Sequence, residues 1–156
     1  MTAMAIVLER LVPGPPQAIQ QRFAGDPARW LPGRVTEHGG HEFHTVLHVA
    51  GITVPLWLHV DTLWLRGEAG ARFVRVDLPE RLGGLLPHRI SGDLVVERRE
   101  DIGVALQFTP TFDSAAAGGI FRMLGLTHLL GRAIARRLHT GIAERLGQRS
   151  VGDAPT

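Results

Sequence analysis

The chain has 156 residues, 44% hydrophobic and 21% charged, a balance that suits one globular core and is too apolar for a disordered chain. Cysteine, tyrosine and lysine are absent and all 17 basic residues are arginine, which excludes disulfides, thiolate metal sites, thiol nucleophiles and lysine Schiff-base chemistry. The net charge is only +2, and no aromatic–basic patterning of a nucleic-acid face accompanies it, so no nucleic-acid partner is expected.

The first residues carry a short apolar run broken by Glu9 and Arg10, unlike a secretion signal. The run from Ile52 contains His59 and Asp61 and falls short of a ~20-residue membrane span. A soluble cytoplasmic protein without stable membrane insertion is the expectation, and the absence of cysteine is compatible with a reducing compartment.

In chain order, residues 5–12 are β-rich and end at Pro13-Gly14. Pro15 and Pro16 suit a first helical turn, after which Ile19 and Phe23 fall four apart on one face. In "GDPARWLPG", residues 25–33, Asp26 is placed to cap a second short helix beginning at Pro27. Trp30 and Leu31 end that helix, Pro32 stops it and Gly33 turns the chain into the next strand.

From 34 to 112 the pattern is strands and turns. Phe43, Leu47 and Val49 alternate with Glu42, His44 and His48. Residues 52–66 place Ile52, Val54, Leu56, Leu58, Val60 and Trp64 at one parity and Pro55, Trp57, His59 and Asp61 at the other, and the length predicts a bulge or bend. "GEAG" reads as a turn, "ARFVRVDL" as a strand, and residues 79–87 as a loop whose leucines cover something. Two more strands carry Leu94 and Val96, then Val104, Leu106, Phe108 and Phe112, on one face each. From 115 to 146 the period changes. Leu126, Leu130, Ile134, Leu138, Ile142 and Leu146 recur every four residues, with Arg132, Arg136, Arg137 and His139 largely off that stripe, which predicts a long amphipathic helix. The stripe drifts ~40° per step, as a helix lying obliquely on a twisted sheet requires.

Strand, two short helices ending in W-L-P-G, about six antiparallel strands and a long last helix: this order, over residues 5–146, resembles the START-like superfamily of helix-grip proteins. That group includes polyketide cyclases, aromatase/cyclases, lipid-transfer domains and pollen-allergen-like proteins. "PPQAIQQRFAGDPARWLPG" and "LPHRISGDLVVERREDIGVALQFTPTF" carry the resemblance. It implies an α+β fold with a curved seven-stranded antiparallel sheet gripping the last helix and an apolar cavity between them. It implies no universal catalytic residues. The expected organisation is one START-like domain over 1–147 with a flexible tail over 148–156.

The aromatic residues Trp57, Trp64, Phe73, Phe108, Phe112 and Phe121 are candidates to line such a cavity, with core filling as the competing account for most of them. Leu130 and Ile134 would join them from the helix, with Thr127, Gly131 and Ala135 as small residues that leave space or permit close approach to the sheet. Burying ~350 Å² of ligand apolar surface contributes ~9 kcal/mol before association costs, enough for micromolar binding without a charged anchor.

His59 and Asp61 share a strand face. If that face looks into the cavity they form an acid/base pair, and if outward they are solvated surface residues. Arg75 and His88 are second-rank candidates for a polar mouth, with "GGLLP" as its lid. His44 and His48 lie ~13 Å apart on a strand, too far for one ion, and a composite site using His38, His41 or His59 stays open; neither metal nor cofactor is expected. The arginines of the last helix, with Arg145 and Arg149, would suit an acidic membrane surface, and a solvated helix face with its C-terminal dipole explains them too. The expected function is binding of a hydrophobic small molecule (lipid, isoprenoid or aromatic polyketide) between sheet and helix. The alternative is a cyclase/dehydratase-type enzyme without metal, and homodimerisation is compatible with either.

Overall fold

The alternation along residues 36–113 is realised as consecutive antiparallel strands whose apolar parity turns to one side. In the computed structural model, which describes residues 6–65, 68–78, 89–100, 102–113 and 126–147, the elements are β1 (Leu8–Pro13), α1 (Pro16–Ala24), a single 3-10 turn (Pro27–Arg29), β2 (Thr36–Gly39), β3 (Glu42–Val49), β4 (Ile52–Leu65), β5 (Glu68–Asp77), β6 (Arg89–Arg99), β7 (Gly103–Asp113) and α2 (Leu126–Gly147). The seven strands form one sheet in the order β1-β7-β6-β5-β4-β3-β2. This is the helix-grip arrangement expected from the sequence. A register shift between His59 and Val60 supplies the irregularity that the long fourth strand requires, and a second shift, between Phe73 and Val76, falls in β5.

The concave face carries the core. Val54, Leu56, Leu58 and Val60 of β4, Phe73 and Val76 of β5, Leu94 and Val96 of β6, and Val104, Leu106 and Phe108 of β7 are buried there. They face Ile134, Leu138, Ile142 and Leu146, four members of the predicted helix stripe. α2 packs on β3 near one margin of the sheet and on β1 and β7 at the other, while α1 lies over β5, β6 and β7. A helix that touches both margins is held by a sheet curved around it. β4 and β5 form the hairpin expected at "GEAG", with its reversal placed earlier: Glu68 already pairs with Leu65, and Ala69 and Gly70 pair inside β5 opposite Val96 and Val95, where two small residues fit the buried ladder.

The segment "DPARWLPG" joins helices to sheet. Asp26 caps the 3-10 turn by accepting from the Ala28 N–H at 3.0 Å. The Trp30 indole N–H donates to the Phe23 carbonyl at 3.0 Å, which satisfies a fully buried indole, and its ring stacks on Phe23 with centroids 4.7 Å apart. Trp30 then leans on Phe73, and Phe73 meets Phe108 edge-on at 5.6 Å, so one aromatic chain runs from α1 into the middle of the sheet. The Pro32 carbonyl accepts from the buried Thr45 hydroxyl at 2.6 Å. Gly33 has φ +81°, and a side chain there would lie 2.6 Å from Thr45 Oγ1 and 2.7 Å from the Val46 carbonyl oxygen, so only glycine fits.

The same proline fixes α2. A Cβ at Gly141 would come within 2.5 Å of Pro32 Cβ, so the helix approaches the joint as closely as its backbone allows. Arg22 of α1 donates to the Leu146 carbonyl at the end of α2, satisfying an orphan acceptor. Gly141→Ala is expected to destabilise the fold by about 1–3 kcal/mol through overpacking against a rigid ring. Thr45→Val is expected to cost a similar ~1–3 kcal/mol by leaving the Pro32 carbonyl without its donor. Urea denaturation should read both as lower midpoints at unchanged m value.

Candidate functional site

The parity that buries Leu56, Leu58 and Val60 turns Trp57, His59 and Asp61 to the opposite, outer face of the sheet. This corrects the expectation for Trp57 and, for His59 and Asp61, selects the outward alternative of the two that the sequence left open. Trp57 is 49% exposed and lies between His38 and His44, with ring centroids at 5.0 and 4.5 Å, instead of lining a cavity under α2. His59 and Asp61 are half-buried on that outer face, so the acid/base pair has no access to the space beneath the helix.

The outer face instead carries an ionic lattice. His59 Nδ1 is 2.8 Å from Glu42 Oε1 and its Nε2 is 3.4 Å from Asp61 Oδ1. Arg75 reaches Glu42 at 3.3 Å and Asp77 at 3.1 Å, and Arg89 reaches Asp77 at 3.0 Å. These pairs cross from β3 to β6 and tie neighbouring strands; being partly solvated, each contributes only ~0–1 kcal/mol. Among the described residues no group of three or more histidines and acids is arranged to hold a metal ion.

Phe73, Phe108, Ile134 and Ala135 are fully enclosed within the core cluster, and Leu130 and Phe112 pack half-buried against it. Gly131 is buried on the same helix. Phe121, His88 and the "GGLLP" loop lie outside the described residues, as do the side chains of Trp64 and Thr127.

Between the end of β3 and α2 lies an open cavity of about 530 Å³, lined by His48, Val49, Ala50, Leu129, Arg132, Ala133, Arg136, Arg137 and Thr140. Among the described residues, none of those singled out as candidate ligand contacts borders it. On α2 these residues recur at three- and four-residue intervals and so share a face distinct from the core stripe. Its floor is apolar: Val49 ends the buried parity of β3, Ala133 packs on the core, and Leu129 is 59% exposed with its side chain at the cavity. The β3–β4 turn forms one rim. Ala50 and Gly51 have φ +51° and +79° and connect the Val49–Ile52 pair, the geometry of a two-residue type I′ turn. An alanine held in the left-handed region costs ~1–2 kcal/mol relative to its preferred backbone, a strain located on the cavity rim. A helical face of Leu129, Ala133 and Thr140 flanked by arginines is visible in the sequence; nothing there reveals that the β3–β4 turn closes on it.

His139 is a second residue whose place the helical period does not give. It is 5% exposed, and its Nε2–H donates to the Leu106 carbonyl at 2.8 Å. Burial pushes its pKa below the ordinary 6.5; the Leu106 carbonyl pulls the other way, and Arg10 adds to the lowering.

Solved structures with this architecture are numerous. Protein TTHA0849 from Thermus thermophilus superposes over 91% of this chain and 96% of its own, with TM-score 0.57 and 20% identity. The chain shares its fold. Ara h 8.0201 matches over 91% and 96% with TM-score 0.54 and 12% identity, and XoxI from Bacillus cereus over 92% and 96% with TM-score 0.55 and 13% identity. At these identities the likeness concerns the fold alone. No protein-family model and no curated protein matches the chain. Among the described residues no helix is long and apolar enough to cross a membrane.

The lowered pKa of His139 has a defined sign. The unfolded chain binds the proton more readily, so stability is full above the unfolded pKa and declines as pH falls from about 6.5 toward the folded value. His139→Gln keeps a donor for Leu106 but cannot titrate. Its stability deficit relative to the parent is expected to narrow as pH is lowered from 7.5 to 5, measured by urea midpoints at each pH.

Proposed function

We propose that the chain binds a small apolar molecule in the cavity between the end of β3 and α2. One observation carries this reading: an open space of about 530 Å³ with Val49, Ala50, Leu129 and Ala133 on its wall, in a size range usual for small-molecule sites. Solvent-exposed leucine at such a wall is surface that a ligand would cover at ~25 cal/mol per Å². The helix-grip architecture supports the reading, as does the sequence resemblance to START-like proteins. Lipids, isoprenoids and aromatic polyketides are the ligand classes of suitable shape and polarity. The cyclase/dehydratase alternative rested on His59 and Asp61, and their position on the outer face gives it no support.

Native mass spectrometry of gently purified protein, followed by calorimetric titration with dodecanol as a neutral apolar probe, tests the proposal. Binding in the micromolar range is expected. Leu129→Gln, at an exposed helix position, should weaken it about threefold to tenfold while leaving thermal stability within about 2 °C. Protein that carries nothing and binds neither dodecanol nor an aromatic panel would refute it.

A further inference from the structure

Resting on the cavity just proposed as an apolar binding site, we infer that its ligand is an amphiphile with an anionic headgroup, held by Arg132, Arg136, Arg137 and His48. The four basic side chains border the same cavity as the apolar wall, and among the described residues no carboxylate does. The described ion pairs of arginine lie on the sheet: Arg72 with Asp93, Arg75 with Glu42 and Asp77, Arg89 with Asp77, and Arg99 with Glu9 and Glu97. Among the described residues none of the three cavity arginines, Arg132, Arg136 and Arg137, has a carboxylate partner. In a chain of net charge +2, whose acids nearly balance its arginines, that asymmetry concentrates positive charge at the cavity.

The two simpler explanations of these arginines fit poorly. A helix dipole favours cations only within its last turn, and α2 runs to Gly147, ten residues past Arg137. A merely solvated helix face would not be expected to carry exposed Leu129 and half-buried Ala133 among the arginines, opposite a rim of Val49 and Ala50. Apolar wall and guanidinium cluster together match a molecule with a hydrocarbon body and a carboxylate or phosphate end, which guanidinium forks bind in bidentate fashion. His48 contributes a ring whose Nδ1 is hydrogen-bonded to Thr53 Oγ1 at 3.3 Å, which steadies its orientation at the edge of the site.

The test compares dodecanoate with dodecanol at pH 7.5 in low salt, with the intact chain. Dodecanoate is expected to bind about tenfold more tightly, and the advantage should shrink in 0.5 M NaCl, where screening is strong. Arg136→Gln should reduce the advantage at least threefold while leaving dodecanol affinity unchanged, and Arg145→Gln, an equal loss of charge outside the cavity, should leave both unchanged. Dodecyl phosphate behaving like dodecanoate, with inorganic phosphate not binding, would confirm that the headgroup belongs to an amphiphile; tight binding of inorganic phosphate alone would overturn the inference in favour of a free anion. Equal affinities for dodecanoate and dodecanol would overturn it and leave the apolar site standing, whereas binding of neither would remove the site itself. Sedimentation with phosphatidylglycerol vesicles, without discrimination between the soluble probes, would overturn it in favour of a membrane-surface role.

Discussion

The placement of α2 depends on one crowded joint. Pro32 receives the Thr45 hydroxyl on its carbonyl and presses its ring against Gly141, while Trp30, two residues earlier, is locked to Phe23 by a hydrogen bond and a stacked ring. Each contact is short-range and stereospecific. Because α1, β3 and α2 all meet there, the joint sets the height and direction of the last helix above the sheet. The cavity between α2 and the β3–β4 turn is a consequence of that setting.

The two faces of the sheet do different things. The concave side is closed by apolar side chains and by α1 and α2, with His139 and Thr45 as its buried polar members among the described residues, each satisfied by a backbone carbonyl. The outer side is a lattice of arginines, acids and histidines with Trp57 set among the rings of His38 and His44. That division engages carboxylates on the sheet and leaves the α2 arginines at the cavity without carboxylate partners among the described residues, so the electrostatic character of the cavity follows from how charge is distributed between sheet and helix.

Much of the fold is legible in the sequence because period-2 alternation and the four-residue leucine spacing directly encode which side chains face the core. The cap at Asp26, the break at Pro32 and the turn at Gly33 are likewise local chemistry, and they lie where their residue types require. Parity alone does not say which side of a strand faces the interior when both carry apolar residues; in β4 the run of Leu56, Leu58 and Val60 outweighs Trp57 and sends His59 and Asp61 outward. His139 is not legible because the four-residue stripe drifts around the helix and brings a neighbouring position under cover near Leu106. The cavity is hidden for a different reason: its two walls are about eighty residues apart, and only the tertiary joint brings His48, Val49 and Ala50 to the arginines of α2.

The central claim is that ligand binding takes place at the flank of α2 facing the β3–β4 turn. Amide shift mapping during titration of isotope-labelled protein with dodecanol addresses it directly. Binding there predicts the largest changes at Val49, Ala50, Leu129 and Ala133, with the outer sheet face quiet. Changes concentrated at Trp57, His59 and their strand neighbours would place binding on the opposite side of the sheet and contradict it.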